Sequence, residues 1–362
     1  MDIYKVLTLI FSLVLILATL ASVLKRDEWW IRVFDFPRVQ IVIINLVMIG
    51  ATLLSFNFTS AWPFLLLAAL GFSIGYQFRM IYPYTPLASR QVVQYKGVAQ
   101  EDLISIMVSN VLMTNKKAHK LKNLVKKYDP DILLTLETNK WWEEQLEEIE
   151  HKYAYTVKIP LDNLYGMHLY SKLELENAEV GYLVQDGIPS VKSNLKMRSG
   201  KRIKIYCLHP KPPSPTEADT STNRDAELLL VGKEVAKNNK STLVFGDLND
   251  VAWSRTTQLF QKLSGLLDPR IGRGFFNTFH AQHPLFRWPL DHVFHSSDFT
   301  LVDIKRLPSV GSDHFPMYAQ LNYGPVAEKV QERPGAESEE RVWAKEKIEK
   351  ADPVAIKLRT KY

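Results

Sequence analysis

Three apolar runs fill the first 78 residues, and they dictate the backbone more strictly than anything else in the chain. Residues 6–24, about 39–56 and about 61–78 contain no charged side chain. A run of roughly twenty such residues matches the hydrocarbon thickness of a bilayer. Inside lipid no water is present to satisfy peptide groups, so a lipid-exposed run of this kind must be helical or part of a closed barrel. Trp29, Trp30 and Trp62 stand at the run ends, where amphipathic rings favour the interface. A cleaved leader is the competing reading of the first run. Its only basic residue upstream is Lys5, no small-x-small site follows it, and two further runs come after. Burial of the second and third runs as core helices of a soluble domain is the other alternative. The prediction is a three-helix membrane anchor over 1–78.

Lys25, Arg26, Arg32 and Arg38 lie between the first two runs, while residues 57–61 carry no Lys or Arg. The positive-inside bias puts that first loop in the cytoplasm, and three spans then put the C-terminal part there too. The single cysteine, Cys207, excludes an intrachain disulfide and selects no compartment. A net charge of +6 suits anionic lipid or a phosphate-bearing substrate and is weak support for nucleic acid.

Residues 79–100 are mixed in character and contain Pro83 and Pro86, which reads as a linker. Over 101–323 strand-like and helix-like stretches alternate. Leu103–Ser109, Asp131–Leu136, Tyr165–Tyr170, Ile203–Leu208, Thr242–Phe245, Leu290–Phe294, Leu301–Ile304 and Met317–Leu321 are apolar enough for strands, and 115–128 and 224–237 read as helices. That alternation predicts a layered α/β domain. Residues 324–362 are rich in Glu, Lys and Arg without an apolar stripe, and read as a charged tail, either a solvated helix or disordered.

Polar residues recur at the predicted strand ends: Asn110, Glu137, His209, Asp247 and Asn249. One such residue is most simply a cap or turn former. A series of them, followed by Asp291-His292 and Ser312-Asp313-His314, points instead to a crevice at one rim of a sheet, where ligands bind. Carboxylates, an amide and imidazoles together can hold a cation, orient water and stabilise a transferring phosphoryl group.

The ordered set Asn110, Glu137, His209, Gly246-Asp247-Leu248-Asn249, Asp291-His292 and Ser312-Asp313-His314 resembles the endonuclease/exonuclease/phosphatase superfamily, the fold of DNase I. The resemblance covers about 101–323. It implies a four-layer α/β sandwich, here preceded by three transmembrane helices, and a divalent cation, Mg²⁺ or Mn²⁺ in its place. It assigns Glu137 as the principal metal ligand, with Asn110 completing or orienting that shell and Asp313 contacting either the groups around the metal's ligands or a second metal. Asp247 aligns and deprotonates the attacking water, Asn249 donates to phosphoryl oxygens or steadies that water, and His209 and His314 flank the phosphate, with Asp291 orienting His314. Arg224 and His168 are candidate substrate contacts. Arg224 reads equally well as an ion-pair partner on a helix, and His292 as a strand residue packed beside the site. Trp141 and Trp142 read as helix packing or a lid.

Two departures from the family pattern are visible. Thr135-Leu136 precedes Glu137 where a glutamine is common, and Pro210-Lys211-Pro212-Pro213-Ser214-Pro215 makes a stiff loop beside His209. The anchor resembles the membrane-bound bacterial subset, including the teicoplanin-resistance membrane phosphatase type. That implies a membrane enzyme hydrolysing a phosphoester or pyrophosphate of a lipid-linked substrate, and it favours an external active site over the charge count. The alternatives are a membrane-tethered nuclease, with Lys116, Lys117, Lys120, Lys122, Lys126 and Lys127 as a phosphate-tracking stripe, and a non-catalytic binding module.

Overall fold

The computed structural model describes residues 2–97, 102–238 and 240–351. The domain boundary placed at residue 101, the end of the linker at 98–100 and the tail beyond 351 lie outside the described residues.

The apolar runs form helices α1 (Ile3–Val23), α3 (Arg38–Ser55) and α4 (Trp62–Ile81), with a short α2 (Trp29–Arg32) between the first two. All three long helices are long and apolar enough to cross a membrane. Their outer surface is apolar, with Leu54 and Leu65 largely exposed, and the interior is hydrogen-bonded. Thr19 Oγ1 meets Ser73 Oγ at 2.7 Å, Asn45 Nδ2 donates to Ser73 Oγ at 3.0 Å, and Gln77 Nε2 donates to Thr19 Oγ1 at 3.1 Å. Polar pairs of this kind hold helices together where burying apolar surface gains little.

The globular part begins with β1 (Leu103–Asn110), α5 (Ala118–Tyr128), β2 (Ile132–Leu136), α6 (Lys140–Glu150), β3 (Tyr155–Ile159) and β4 (Met167–Ser171). Next come β5 (Glu174–Gly181), β6 (Ser190–Lys196), β7 (Arg202–Leu208), α7 (Thr222–Asn238), β8 (Thr242–Asp247) and α8 (Arg255–Ser264). Strands β9 (Asp291–His295), β10 (Phe299–Arg306) and β11 (Met317–Tyr323) precede helix α9 (Ser338–Lys350). One six-stranded sheet has the order β10-β11-β1-β2-β4-β3, and a five-stranded sheet runs β5-β6-β7-β8-β9. Ile106, Leu134 and Leu169 of the first interlock with Ile205, Phe245 and Val293 of the second to form the central core. The other face of the first sheet packs on α5 and α6 through Leu121, Val125, Trp142 and Leu146, and that of the second on α7 and α8 through Leu228 and Phe260. This is the four-layer sandwich expected. Alternation explains it: on a pleated strand neighbouring side chains face opposite layers, so strands apolar on both faces must be covered twice.

Two expectations need correction. Within 79–97 the chain is built into the domain: Val92 is buried in the central core, Tyr84 Oη donates to the Ala252 carbonyl at 2.7 Å, and Tyr95 N donates to the Leu301 carbonyl at 2.8 Å. The prolines end α4, but the residues beyond them stay tied to the domain. The tail is likewise docked over Ser338–Lys350. A capping box of Glu337 and Glu340 starts α9, Ala344 packs on Leu229, Leu259 and Leu263, and the Lys347 ammonium is buried between Asp27 and Asp225 at 2.5 and 2.6 Å. Its contact face is Trp343, Ala344, the Lys347 stem and Ile348, a short stripe interrupted by a lysine and set among charged neighbours, which the sequence pattern does not set apart.

The three apolar helices and their connections meet the domain along a polar seam. Trp253 Nε1 donates to the Asp35 carbonyl at 2.7 Å, Arg255 donates to the Val23 carbonyl and to Tyr76 Oη, and Trp29 N donates to the Asp219 carbonyl. The end of α1, the start of α3 and the end of α4 therefore all lie on the domain side.

Candidate active site

Parallel pairing of β1 with β2 and of β7 with β8 brings four C-terminal strand ends to one rim. Antiparallel β9 and β11 bring their N-terminal ends to the same rim, where Asp291 stands opposite Asp247. Asn110 and Asp247 are last residues of their strands, Glu137 and His209 follow theirs directly, and Asp313 and His314 precede β11. The turns are demanding. Gly246 has φ +148°, and a Cβ there would lie 1.9 Å from the Leu208 carbonyl oxygen. Glu137 and Asn249 take left-handed φ values of +60° and +51°. For residues with a Cβ such backbone is costly, and it collects at functional sites.

Asp247 Oδ2 is the hub. It accepts from Asn110 Nδ2 at 3.1 Å, lies 3.5 Å from His314 Nε2 and 3.8 Å from His209 Nε2. The same Asn110 amide nitrogen donates to Glu137 Oε1 at 2.7 Å, so one side chain joins both carboxylates. His314 Nδ1 donates to Asp291 Oδ2 at 2.9 Å. Burial opposes a charge on His314, but Asp247 and Asp291 outweigh it and push the imidazole up to about 10. His209 is lowered to about 4 by burial and is neutral, with its Nδ1 buried and unpartnered. Burial raises Glu137 to about 7, against the Asn110 hydrogen bond and with help from Asp313 and Asp247. Burial also raises Asp247, against His314. Asn249 anchors its loop, its amide donating to the Pro210 carbonyl and its backbone N–H to Asp247 Oδ1, both at 3.0 Å.

Asn110, Glu137, His209, Asp247, Asn249, Asp291, Asp313 and His314 therefore meet at one place. The two candidate substrate contacts do not join them. Arg224 is fully buried; its guanidinium bonds Asp225 at 2.8 Å, Asp250 at 3.1 Å and the Asn249 carbonyl at 2.8 Å, so no donor group is left to reach outward. It holds the Asn249 loop from beneath. His168 is buried on the helix-facing side of β4 beside Tyr170, and burial lowers it to about 4. Strand alternation puts it on the side opposite Met167 and Leu169 of the central core. His292 is a packing residue, held by Arg270 at 2.6 Å and the Asp250 carbonyl at 2.9 Å. Trp142 is buried under α6 and Trp141 packs beside it.

Three supporting residues escaped the sequence reading. Tyr165 lies 5.3 Å ring to ring from His209, Ser312 Oγ receives the His314 N–H, and Thr278 Oγ1 receives the Asp291 N–H. Only Ser312 had a signal, its place in the Ser-Asp-His motif.

The family model described as the Endonuclease/Exonuclease/phosphatase family matches residues 107–314. Among solved structures, D. rerio TDP2 complexed with a single-strand DNA product is 16% identical, with a TM-score of 0.50 over 61% of this chain and 99% of that one. The human Nocturnin catalytic domain with a bound sulfate anion is also 16% identical, with a TM-score of 0.50 over 62% of this chain and 96% of that one. At these identities the likeness is one of fold. Comparison with curated proteins gives no match.

Proposed function

The chain belongs to the endonuclease/exonuclease/phosphatase family, and on that premise we propose that it is a membrane-anchored, divalent-metal-dependent phosphohydrolase whose substrate is held in the bilayer. The observation that carries this is the seam. The loop directly after Asp247 and Asn249 rests on the α1–α3 connection, with Arg32 3.5 Å from Asp250 and Trp253 bonded to Asp35. Such an attachment keeps the catalytic rim close to the lipid interface, where an anchored enzyme meets its substrate at high effective concentration.

The donors suit a hard cation. Glu137 and Asp313 offer carboxylate oxygens, and Glu137 is raised chiefly by burial, with Asp313 and Asp247 adding to it. Oxygen-rich carboxylate sites select Mg²⁺ or Mn²⁺. Glu137 and Asp313 would hold it, with Asn110 orienting Glu137. Bound there, the cation supplies charge neutralisation for the phosphoryl oxygens. Asp247, raised by burial, is the base toward an attacking water. His314, kept protonated by Asp291 and Asp247, donates to the charge that develops on phosphorus-bound oxygen. His209, directly after β7, stands beside the same carboxylate with its Nδ1 buried and unpartnered.

The test is a substrate panel on full-length protein in nanodiscs: a polyprenyl pyrophosphate, phospholipids, a small phosphodiester and DNA, each with Mg²⁺ and with EDTA. Turnover of a lipid substrate that needs Mg²⁺ is expected. Equal turnover in EDTA sinks the metal reading, and cleavage of DNA alone replaces phosphohydrolase with nuclease. On sidedness we favour the external face. An alkaline phosphatase reporter fused after Leu321 that stays inactive, while a cytoplasmic fluorescent reporter lights up, reverses that choice.

A further inference from the structure

The segment Thr278–Trp288 folds back on itself. Thr278 N and Phe279 N donate to the Trp288 carbonyl at 3.0 Å each, and His280 N donates to the Phe286 carbonyl at 2.9 Å. Its base is part of the catalytic rim. Phe315 N donates to the Thr278 carbonyl, Ala281 N donates to the Asp313 carbonyl, and the Phe279 ring lies 5.0 Å from that of His314. Its tip carries Leu285 and Phe286, 76% and 57% exposed. Two apolar side chains so exposed on a short loop of a globular domain are a mark of an interaction surface.

Two contacts fix where that tip stands. Gln40, in the first turn of α3, donates from Nε2 to the Leu285 carbonyl at 2.7 Å. Phe36, just before α3, meets Trp288 edge-on at 5.5 Å. The tip thus lies level with the start of a membrane-spanning helix, continuous with the apolar outer surface of the anchor. A third observation comes from charge. Arg287 and Arg306 both lie over the Phe315 ring, at 5.1 and 4.4 Å, next to His314 in sequence. Their hydrogen bonds go to backbone carbonyls of His280, Ala281 and Asn277, and neither has an ion pair among the described residues. Two neighbouring guanidinium groups without a carboxylate form a site for an anion, and planar guanidinium suits phosphate.

We propose that Thr278–Trp288 is a membrane-inserted lip: Leu285 and Phe286 enter the acyl region, Arg287 and Arg306 take the phosphate of an anionic lipid, and the lip leads that lipid to His314. This rests on the membrane-anchored reading above and deepens it by naming an amphiphile with an anionic phosphate headgroup as the ligand. An aromatic and a leucine at the tip with arginines at its neck follow the order of a bilayer, apolar below and charged at the headgroups.

The test uses full-length protein in vesicles of phosphatidylcholine with phosphatidic acid. A fluorophore attached at Leu285→Cys, with buried Cys207 unreactive, should be quenched by lipids brominated along the acyl chain. A site on Asp162→Cys, on an exposed loop, serves as the comparison. Quenching at 285 no stronger than at 162 overturns the proposal whatever the enzyme hydrolyses. In turnover, Leu285→Ser with Phe286→Ser should lower hydrolysis of vesicle-borne phosphatidic acid at least about tenfold, since two apolar side chains no longer leave water. Hydrolysis of soluble bis(p-nitrophenyl) phosphate should stay within about twofold, because the Leu285 and Phe286 side chains are exposed and their replacement changes the folded domain little. Arg287→Gln with Arg306→Gln should lower lipid turnover when phosphatidic acid is dilute and be rescued when it is abundant. Equal loss on both substrates shows that the lip only supports the rim and overturns the proposal. Quenching at 285 in an enzyme that hydrolyses no lipid keeps the lip and rejects the lipid-substrate reading instead.

Discussion

Two buried charged clusters lie only a few residues apart in the loop after β8, and they are built on opposite principles. Along the seam, the carboxylates of Asp27, Asp35, Asp225 and Asp250 are matched by Arg32, Arg38, Arg224 and Lys347. At the candidate catalytic rim, Glu137, Asp247, Asp291 and Asp313 face one cation among the described residues, His314, because His209 is neutral. The consequences run in opposite directions at Asp225 and Glu137, although burial raises Asp250 of the first cluster as well. Burial alone would raise Asp225, yet Lys347, Arg224 and Arg32 hold it well below the usual carboxylate range, whereas Glu137 is pushed up to about 7. A balanced buried cluster ties elements together. An unbalanced one stores a demand for positive charge, which a cation and the protons of a reaction can meet.

The largest expected effect tests the unbalanced cluster. Glu137→Gln should lower turnover of a soluble phosphodiester at least about a hundredfold, and weaken its dependence on Mg²⁺, while leaving thermal stability in EDTA equal to or above that of the native chain. A variant that unfolds would mean that Glu137 belongs to the structural cluster. Asp247→Asn and His314→Ala should each cost about a hundredfold in turnover with the fold retained, as read by melting temperature alongside rate. Near-normal turnover in either would remove that residue from the mechanism.

The balanced cluster should answer in stability instead. Arg224→Met leaves Asp225 and Asp250 short of a partner and should destabilise by about 3–5 kcal/mol, the range for breaking a buried pair. Among molecules that remain folded, KM should be unchanged, and a raised KM would restore Arg224 as a substrate contact. The sign with pH comes from Asp225. Its folded pKa is depressed, so its contribution is complete above the unfolded value of about 3.9 and is lost as pH falls below that. Acid unfolding of Asp225→Asn should accordingly be flatter below about pH 4 than that of the native chain. The smallest effect is on the native protein: Mg²⁺ at a hundred times its dissociation constant should stabilise it by about 2.7 kcal/mol, and no shift would deny the rim its cation.

Most of the rim was legible before any coordinates. Gly246-Asp247-Leu248-Asn249 and Ser312-Asp313-His314 are contiguous, and the strands before Asn110, Glu137 and His209 are apolar runs, so local pattern and local chemistry point the same way. Strands β5 and β6 were invisible for the converse reason. They carry Glu174, Glu176, Glu179, Lys192 and Lys196, and β5 is an exposed edge, so neither shows an apolar run. Arg224 misled because an arginine opening a helix looks the same whether it faces solvent or two carboxylates.

The sequence by itself determined the three apolar N-terminal helices, the alternation of strands that makes the sandwich, and the residue types of the rim. Each of these depends on neighbours within a few turns or one strand. Only the tertiary structure decided that the N-terminal helices, the loop after β8 and α9 form one seam, because Trp253 and Asp35 are 218 residues apart and Lys347 and Asp27 are 320 apart. Such pairs leave no periodic trace. They exist because burying a charge is tolerable only where docking brings an opposite charge to it.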